Sequence, residues 1–244
     1  MRITDRVYVL SGSLYSAGGM NSVYGEVYGI DAPGGLILID SGFSKDALAT
    51  IAENLSYYGL PTSPEYLLLT HGHFDHCGNA RAYQDMGAKV AVGAEDACYC
   101  ANGGVQGLGT PTPFDNEHIF AAFEPDSLIA EDCEKDICGL KVRFIRTPGH
   151  TPGSLAIMIV IDGKKIVFTG DALNPHGDVL LDSVTLGWQG DIRFSREAVV
   201  NGMMHLWETA PDADVILPGH GKICLKNGGA IIRLAAQTAF TTMR

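Results

Sequence analysis

Short apolar runs punctuated by turn formers dominate the chain, and few of them keep a long helical period. Arg6 to Leu10 alternates weakly, and Val23 to Ile30 is rich in Val, Tyr and Ile. The turn Asp31-Ala-Pro-Gly-Gly35 then leads into the fully apolar run Leu36–Ile39, so three strands are expected before residue 40. Ser44 is placed to cap a helix that runs to Tyr58 and stops at Gly59. Tyr66–Leu69 is another short buried strand, followed by a helix over Asn79–Asp85, a strand over Lys89–Val92 and a helix over Ala94–Ala101. Residues 102–118 are dense in Gly and Pro and read as a long loop of the kind that often carries function. Strands are expected at Lys141–Ile145, Ser154–Ile161 and Lys164–Thr169, the last two joined at Asp162-Gly163. Ser195 caps a helix to Glu208, Val215–Leu217 is a strand, and Asn227–Thr242 is a closing helix. Strands followed by helices, twice over, point to two sheets packed face to face with helices outside.

Composition narrows the class. The 244 residues include 30 Gly and 11 Pro, which fits many tight turns, and 46% are apolar, which supports a packed core. One domain over residues 1–244 is expected, since no linker or charge block divides the chain. The net charge of −11 argues against nucleic-acid partners. No apolar run is long enough to span a membrane, and no basic leader precedes the first strand, so a cytoplasmic enzyme with a small-molecule substrate is the expectation. Its six cysteines then read as free thiols, with Cys77 a packing residue.

The densest chemistry is His71-Gly-His73-Phe-Asp75-His76, directly after a buried strand. Residues two apart on an extended segment face the same side, so His71 and His73 can grip one cation. A change of direction would aim Asp75 and His76 at a second. Imidazoles and carboxylates suit zinc, with iron, manganese or nickel as alternatives. Without a ligand, such a cluster would leave polar groups unpaired. Three more candidates stand at strand-to-loop junctions: His150 in Thr147–Gly153, Asp171 in Thr169-Gly-Asp171, and His220 in Pro218-Gly-His-Gly221. Loops at the ends of four strands can converge on one edge of a sandwich. His118 and His205 are not expected to be ligands.

Taken in order, Asp40, the run Thr70–His76, His150, Asp171 and His220 resemble the metallo-β-lactamase-fold hydrolase superfamily, over residues 40–220. The resemblance implies an α/β (α+β) fold, a four-layer αββα sandwich with a site for two divalent metal ions, zinc first and iron or manganese as alternatives. It implies that His71, His73 and His150 hold one ion, that Asp75, His76 and His220 hold the other, that Asp171 bridges, and that Asp40 stands behind the ligands. A hydroxide shared by the two ions would attack a small ester, thioester or lactone, with Asp75 orienting it or relaying a proton. Glyoxalase II and lactonases are the nearest branches, although the stretch Ala172-Leu-Asn-Pro-His176 lacks the tyrosine that lactonases carry after the bridging aspartate. An iron-dependent redox member similar to persulfide dioxygenases, a phosphodiesterase of the same fold, and a binding protein are the alternatives. Tyr15, Met20, Tyr24 and Asn174 are expected around the substrate, and His176 is a candidate donor to a substrate oxygen.

Overall fold

A computed structural model describes residues 1–12, 24–104, 119–177 and 182–243. Strands β1 (Val7–Ser11), β2 (Val27–Ala32), β3 (Gly35–Ile39), β4 (Tyr66–Leu68), β5 (Lys89–Gly93) and β6 (Ser127–Ile129) form one sheet in chain order. A second sheet has the order β13-β10-β9-β8-β7, made of β7 (Cys133–Ile137), β8 (Leu140–Arg146), β9 (Leu155–Ile161), β10 (Lys164–Gly170) and β13 (Val215–Pro218). A small hairpin, β11 (Asn174–Gly177) with β12 (Asp182–Thr185), lies outside both.

The two-residue period of the strands divides their side chains between layers. Ile37 and Ile39 join Tyr28, Phe144, Ile157, Ile166 and Phe168 in the cluster between the sheets. Leu36 and Leu38 instead meet Ile51 and Leu55 of helix α1 (Lys45–Tyr57) and Tyr83 of helix α3 (Ala80–Asp85). On the second sheet, Phe168 faces inward, while Val167 and Ile216 pack against helices α5 (Arg196–Thr209) and α6 (Gly228–Thr242) through Met203, Leu206, Ile232 and Ala236. Helix, sheet, sheet, helix is the four-layer order expected from the resemblance. The hydroxyls of Ser44 and Ser195 accept from the backbone N–H of Ala47 and Ala198, so both expected helix caps form.

The structure differs from the sequence reading in several places. The strand read from Val23 to Ile30 is observed as Val27–Ala32. The run from Ala94 to Ala101 is split into a 3-10 turn over Ala94–Asp96 and a short helix α4 over Ala97–Ala101. Strands β6 and β7 were not expected. Lys135 and its charged neighbours make β7 look like surface loop, yet an edge strand needs only one buried face. Asn174-Pro-His-Gly177 reads as turn chemistry but pairs with Asp182–Thr185. Among the described residues, no helix is long and apolar enough to cross a membrane.

Candidate metal centre

The ligand-type side chains come from the ends of strands on both sheets. Asp40 follows β3, the 71–76 segment follows β4, His150 follows β8, Asp171 follows β10, and His220 follows β13. The expected change of direction after His73 is a single helical turn, α2 (Phe74–Cys77), which turns Asp75 and His76 away from the extended 71–73 stretch. Gly219 has no room for a side chain, because a Cβ there would strike the Asp171 carboxylate and come within 2.6 Å of the His76 ring.

Three groups of side chains could each hold a metal ion: His71, His73 and His150; His71, His76 and Asp171; and Asp75, His76 and His220. In the first group, His71 Nε2 lies 3.1 Å from His73 Nδ1 and 3.2 Å from His150 Nε2. Nitrogens about 2.0–2.1 Å from a tetrahedral ion sit about 3.3 Å from one another, so this spacing fits a cation. The outer nitrogens fix the tautomers. Thr70 gives its hydroxyl proton to Asp40 Oδ2 (2.8 Å), so its oxygen accepts from His71 Nδ1 at 3.1 Å. His73 Nε2 donates to Asp191 Oδ2 at 2.8 Å, and His150 Nδ1 donates to the Trp188 carbonyl at 2.9 Å. Each neutral ring therefore turns a bare lone pair toward the others, an arrangement that needs a cation between them.

The triad of Asp75, His76 and His220, the second of the two that share no residue, is built alike on one side. His76 Nδ1 donates to Asp40 Oδ2 at 2.8 Å, while its Nε2 faces Asp171 Oδ1 (3.3 Å), Asp75 Oδ2 (3.4 Å) and His220 Nε2 (3.4 Å). Asp171 Oδ2 is 3.5 Å from both His150 Nε2 and His220 Nε2, so this carboxylate touches both triads. Its buried Oδ1 accepts no hydrogen bond, and neither does buried His220 Nδ1 take part in one. An unpartnered carboxylate oxygen inside a buried cluster, Asp171 Oδ1, fits the divalent metals that the resemblance implies. Asp40 itself sits at φ 60°, a left-handed backbone that aspartate tolerates better than most residues, and it holds Thr70 through both carboxylate oxygens.

Protonation follows the same division. Burial, reinforced by the neighbouring imidazoles, pushes His71 well below its ordinary pKa and His150 down to about 4. Burial opposes protonation of His76 as well, but Asp75, Asp171 and Asp40 outweigh it and raise that ring well above 6.5. His220 is raised by Asp171 and Asp75 against the same burial. Burial raises the Asp75 and Asp171 carboxyls, and the imidazoles of His76 and His220 more than reverse this, holding both well below the ordinary range. The same carboxylates that would attract a cation thus favour protonation of His76 and His220. The stability from these raised histidines is full below about pH 6.5 and is lost as pH rises through their folded pKa values; that from the depressed carboxyls is lost as pH falls below about 4. A metal must displace the histidine protons, so its affinity is expected to rise with pH by up to about tenfold per pH unit for each proton displaced. Calorimetric titration at pH 6 and pH 8 checks this.

Sequence reading missed the side chains that lock the ligands. Asp96 is fully buried. Its Oδ2 accepts from Gly72 N–H (2.9 Å) and the Thr151 hydroxyl (2.7 Å), and its Oδ1 accepts from Gly153 N–H (3.1 Å) and Arg193 Nη1 (3.2 Å). Arg193 also pairs with Asp191 and stacks on Tyr99 at 3.3 Å. One ionic chain therefore ties the loop of His71 and His73 to that of His150.

Other expected residues fall as follows. Tyr24 is half-buried beside Gly25, whose Cβ would meet the His76 ring. Tyr15, Met20, His118 and most of the 102–118 loop lie outside the described residues. The Asn174 side-chain nitrogen donates to the carbonyls of Leu173 (3.1 Å) and His220 (3.3 Å), which ties it to the His220 loop. His176 does not join the cluster. It is exposed on the β11–β12 hairpin, where pairing with β12 turns its Nε2 to the Thr185 hydroxyl at 2.7 Å. His205 pairs with Asp132, and Cys77 is buried with its thiol on the Gly72 carbonyl.

With this fold and rim in view, the comparisons are direct. Residues 23–220 match the metallo-beta-lactamase superfamily, and the chain belongs to it. An uncharacterized protein of Mycobacterium tuberculosis is 31% identical over 208 residues, covering 82% of this chain and 84% of that one. Hydroxyacylglutathione hydrolase GloC of Haemophilus influenzae is 27% identical over 189 residues, covering 75% and 79%. A Cronobacter sakazakii metallo-β-lactamase variant with a HARLDQ motif superimposes with a TM-score of 0.74 at 18% identity, over 99% of this chain and 92% of its own, and shares the fold.

Proposed function

We propose that this protein hydrolyses a small ester, thioester or lactone with the help of two divalent metal ions, zinc first among them. The observation that carries the reading is the trio of inward-facing bare nitrogens on His71, His73 and His150, each fixed by an outer partner, with the Asp171 carboxylate lying 3.5 Å from both His150 and His220. His71, His73 and His150 would hold one ion; Asp75, His76 and His220 would hold the other; and Asp171 would serve both. Bound there, the ions supply Lewis acidity toward a carbonyl and lower the pKa of water toward about 7.

The chain's own residues do the rest. Asp75, kept as a carboxylate by the imidazoles of His76 and His220, would orient the attacking water or relay a proton. Tyr28 donates its hydroxyl to the Pro218 carbonyl at 2.6 Å, and Glu26 N–H bonds Gly219 at 2.8 Å, so the loop bearing His220 is held against the first sheet. Asp40 and Asp191 keep His76 and His73 in their required tautomers.

Kinship with a hydroxyacylglutathione hydrolase supports testing that thioester first. The metal-loaded protein is expected to cleave at least one carboxyl ester, thioester or lactone with kcat/KM about 100-fold above any phosphodiester in a matched panel. Turnover confined to phosphodiesters, or oxygen consumption with thiol substrates, would count against the reading.

A further inference from the structure

The segment from Gly187 to Arg193 crosses the rim beside the first triad and is anchored at both ends. A Cβ on Gly187 would strike the Asp171 carbonyl and lie 2.8 Å from His150 Nδ1, so the main chain touches the cluster there. The Trp188 carbonyl accepts from His150, and three residues on, the buried Asp191 carboxylate accepts from His73. Between these anchors the Trp188 indole folds back over Gly190, where any Cβ would overlap the ring. It is thereby stationed with its centroid 6.0 Å from that of His73.

This tryptophan packs in none of the three apolar clusters and is 55% exposed. The other tryptophan, Trp207, packs against the core under α5 and α6. A large ring held by its backbone at a metal-type cluster, with half its surface open, has apolar area still to bury. The charged groups beside it are already engaged: Arg193 pairs with Asp191 and Asp96 and stacks on Tyr99. Among the described residues, this side of the first triad therefore offers an incoming group apolar rather than ionic contact.

We propose that Trp188 is a specificity-determining wall of the substrate site and receives an aromatic or bulky apolar acyl group attached to the scissile carbonyl. This rests on the hydrolase reading, which supplies the carbonyl. It narrows the substrate class to esters, thioesters or lactones whose acyl portion is aromatic or bulky and apolar.

Two thioesters with one leaving group, acetyl and phenylacetyl, test it on the metal-loaded enzyme. Trp188→Ala is expected to lower the phenylacetyl-to-acetyl ratio of kcat/KM by about tenfold or more, and Trp188→Phe to keep it within about threefold. A second measurement leaves residue 188 intact and needs no turnover. In a Trp207→Phe chain the sole tryptophan is Trp188. Phenylacetate is expected to change its emission saturably, while acetate at equal concentration leaves it unaltered. Phenylacetate-dependent emission without hydrolysis of any ester, thioester or lactone in the panel, these two thioesters included, would support the subsite and overturn the hydrolase reading. Hydrolysis of both with a ratio indifferent to Trp188→Ala, or emission indifferent to phenylacetate, would overturn the subsite and leave the hydrolase reading standing.

Discussion

Asp171→Ala is expected to lower kcat/KM by about 10³-fold or more while the chain still folds. The reason is positional. Among the described residues, no other carboxylate lies within 3.5 Å of imidazoles from both triads, His150 on one side and His220 on the other. Removing it leaves the first triad intact, because His71, His73 and His150 keep their outer partners on Thr70, Asp191 and the Trp188 carbonyl. The second triad loses one of the two carboxylates, with Asp75, that offset the positive charge of both His76 and His220. Asp171→Asn keeps the shape and removes the charge, so it is expected to fall close to the alanine variant. A turnover assay with folding checked by circular dichroism reads both. Activity within about threefold of the unaltered protein in either variant would deny Asp171 its proposed place.

The second large effect falls on stability. Asp96→Ala is expected to cost about 3 kcal/mol or more in urea unfolding, with the slope unchanged. Asp96 is the acceptor for two backbone amides, one hydroxyl and one guanidinium, all of which converge on it from segments distant in sequence. Its loss leaves buried donors unsatisfied and strips Arg193 of one of its two carboxylate partners. Because Gly72 lies between two of the proposed ligand histidines and Thr151 follows a third, weaker metal retention is expected along with the lower stability. A cost below about 1 kcal/mol would show that the loops hold their positions without this link.

What could be read from the chain beforehand divides along the range of the interactions. His71, His73, Asp75 and His76 announce themselves because four ligand types fall within six residues after an apolar strand. His150, Asp171 and His220 were legible only as a set, each at a strand end beside glycine. Asp96 and Asp191 left no local trace: one ends a 3-10 turn and the other lies in an irregular stretch, and both act on residues 24 to 118 positions away. Helix α2 was hidden because a single turn has no period to display. His176 shows the opposite situation, a residue near the cluster in sequence whose surroundings are set by a hairpin. It lies five residues beyond Asp171, but the hairpin it belongs to turns it toward Thr185 and solvent. The strands of the inner layers were readable because both of their faces are apolar, whereas β7 keeps only every second side chain inward.

The proposed reaction depends on cations seated among the imidazoles and carboxylates of the two triads. Stripping the protein with a chelator and returning zinc in steps, with bound metal and hydrolysis followed together, tests this most directly. Turnover should vanish on stripping and return to its plateau at about two equivalents per chain. Undiminished hydrolysis by the stripped protein, or saturation with no metal retained at the histidine cluster, would contradict it.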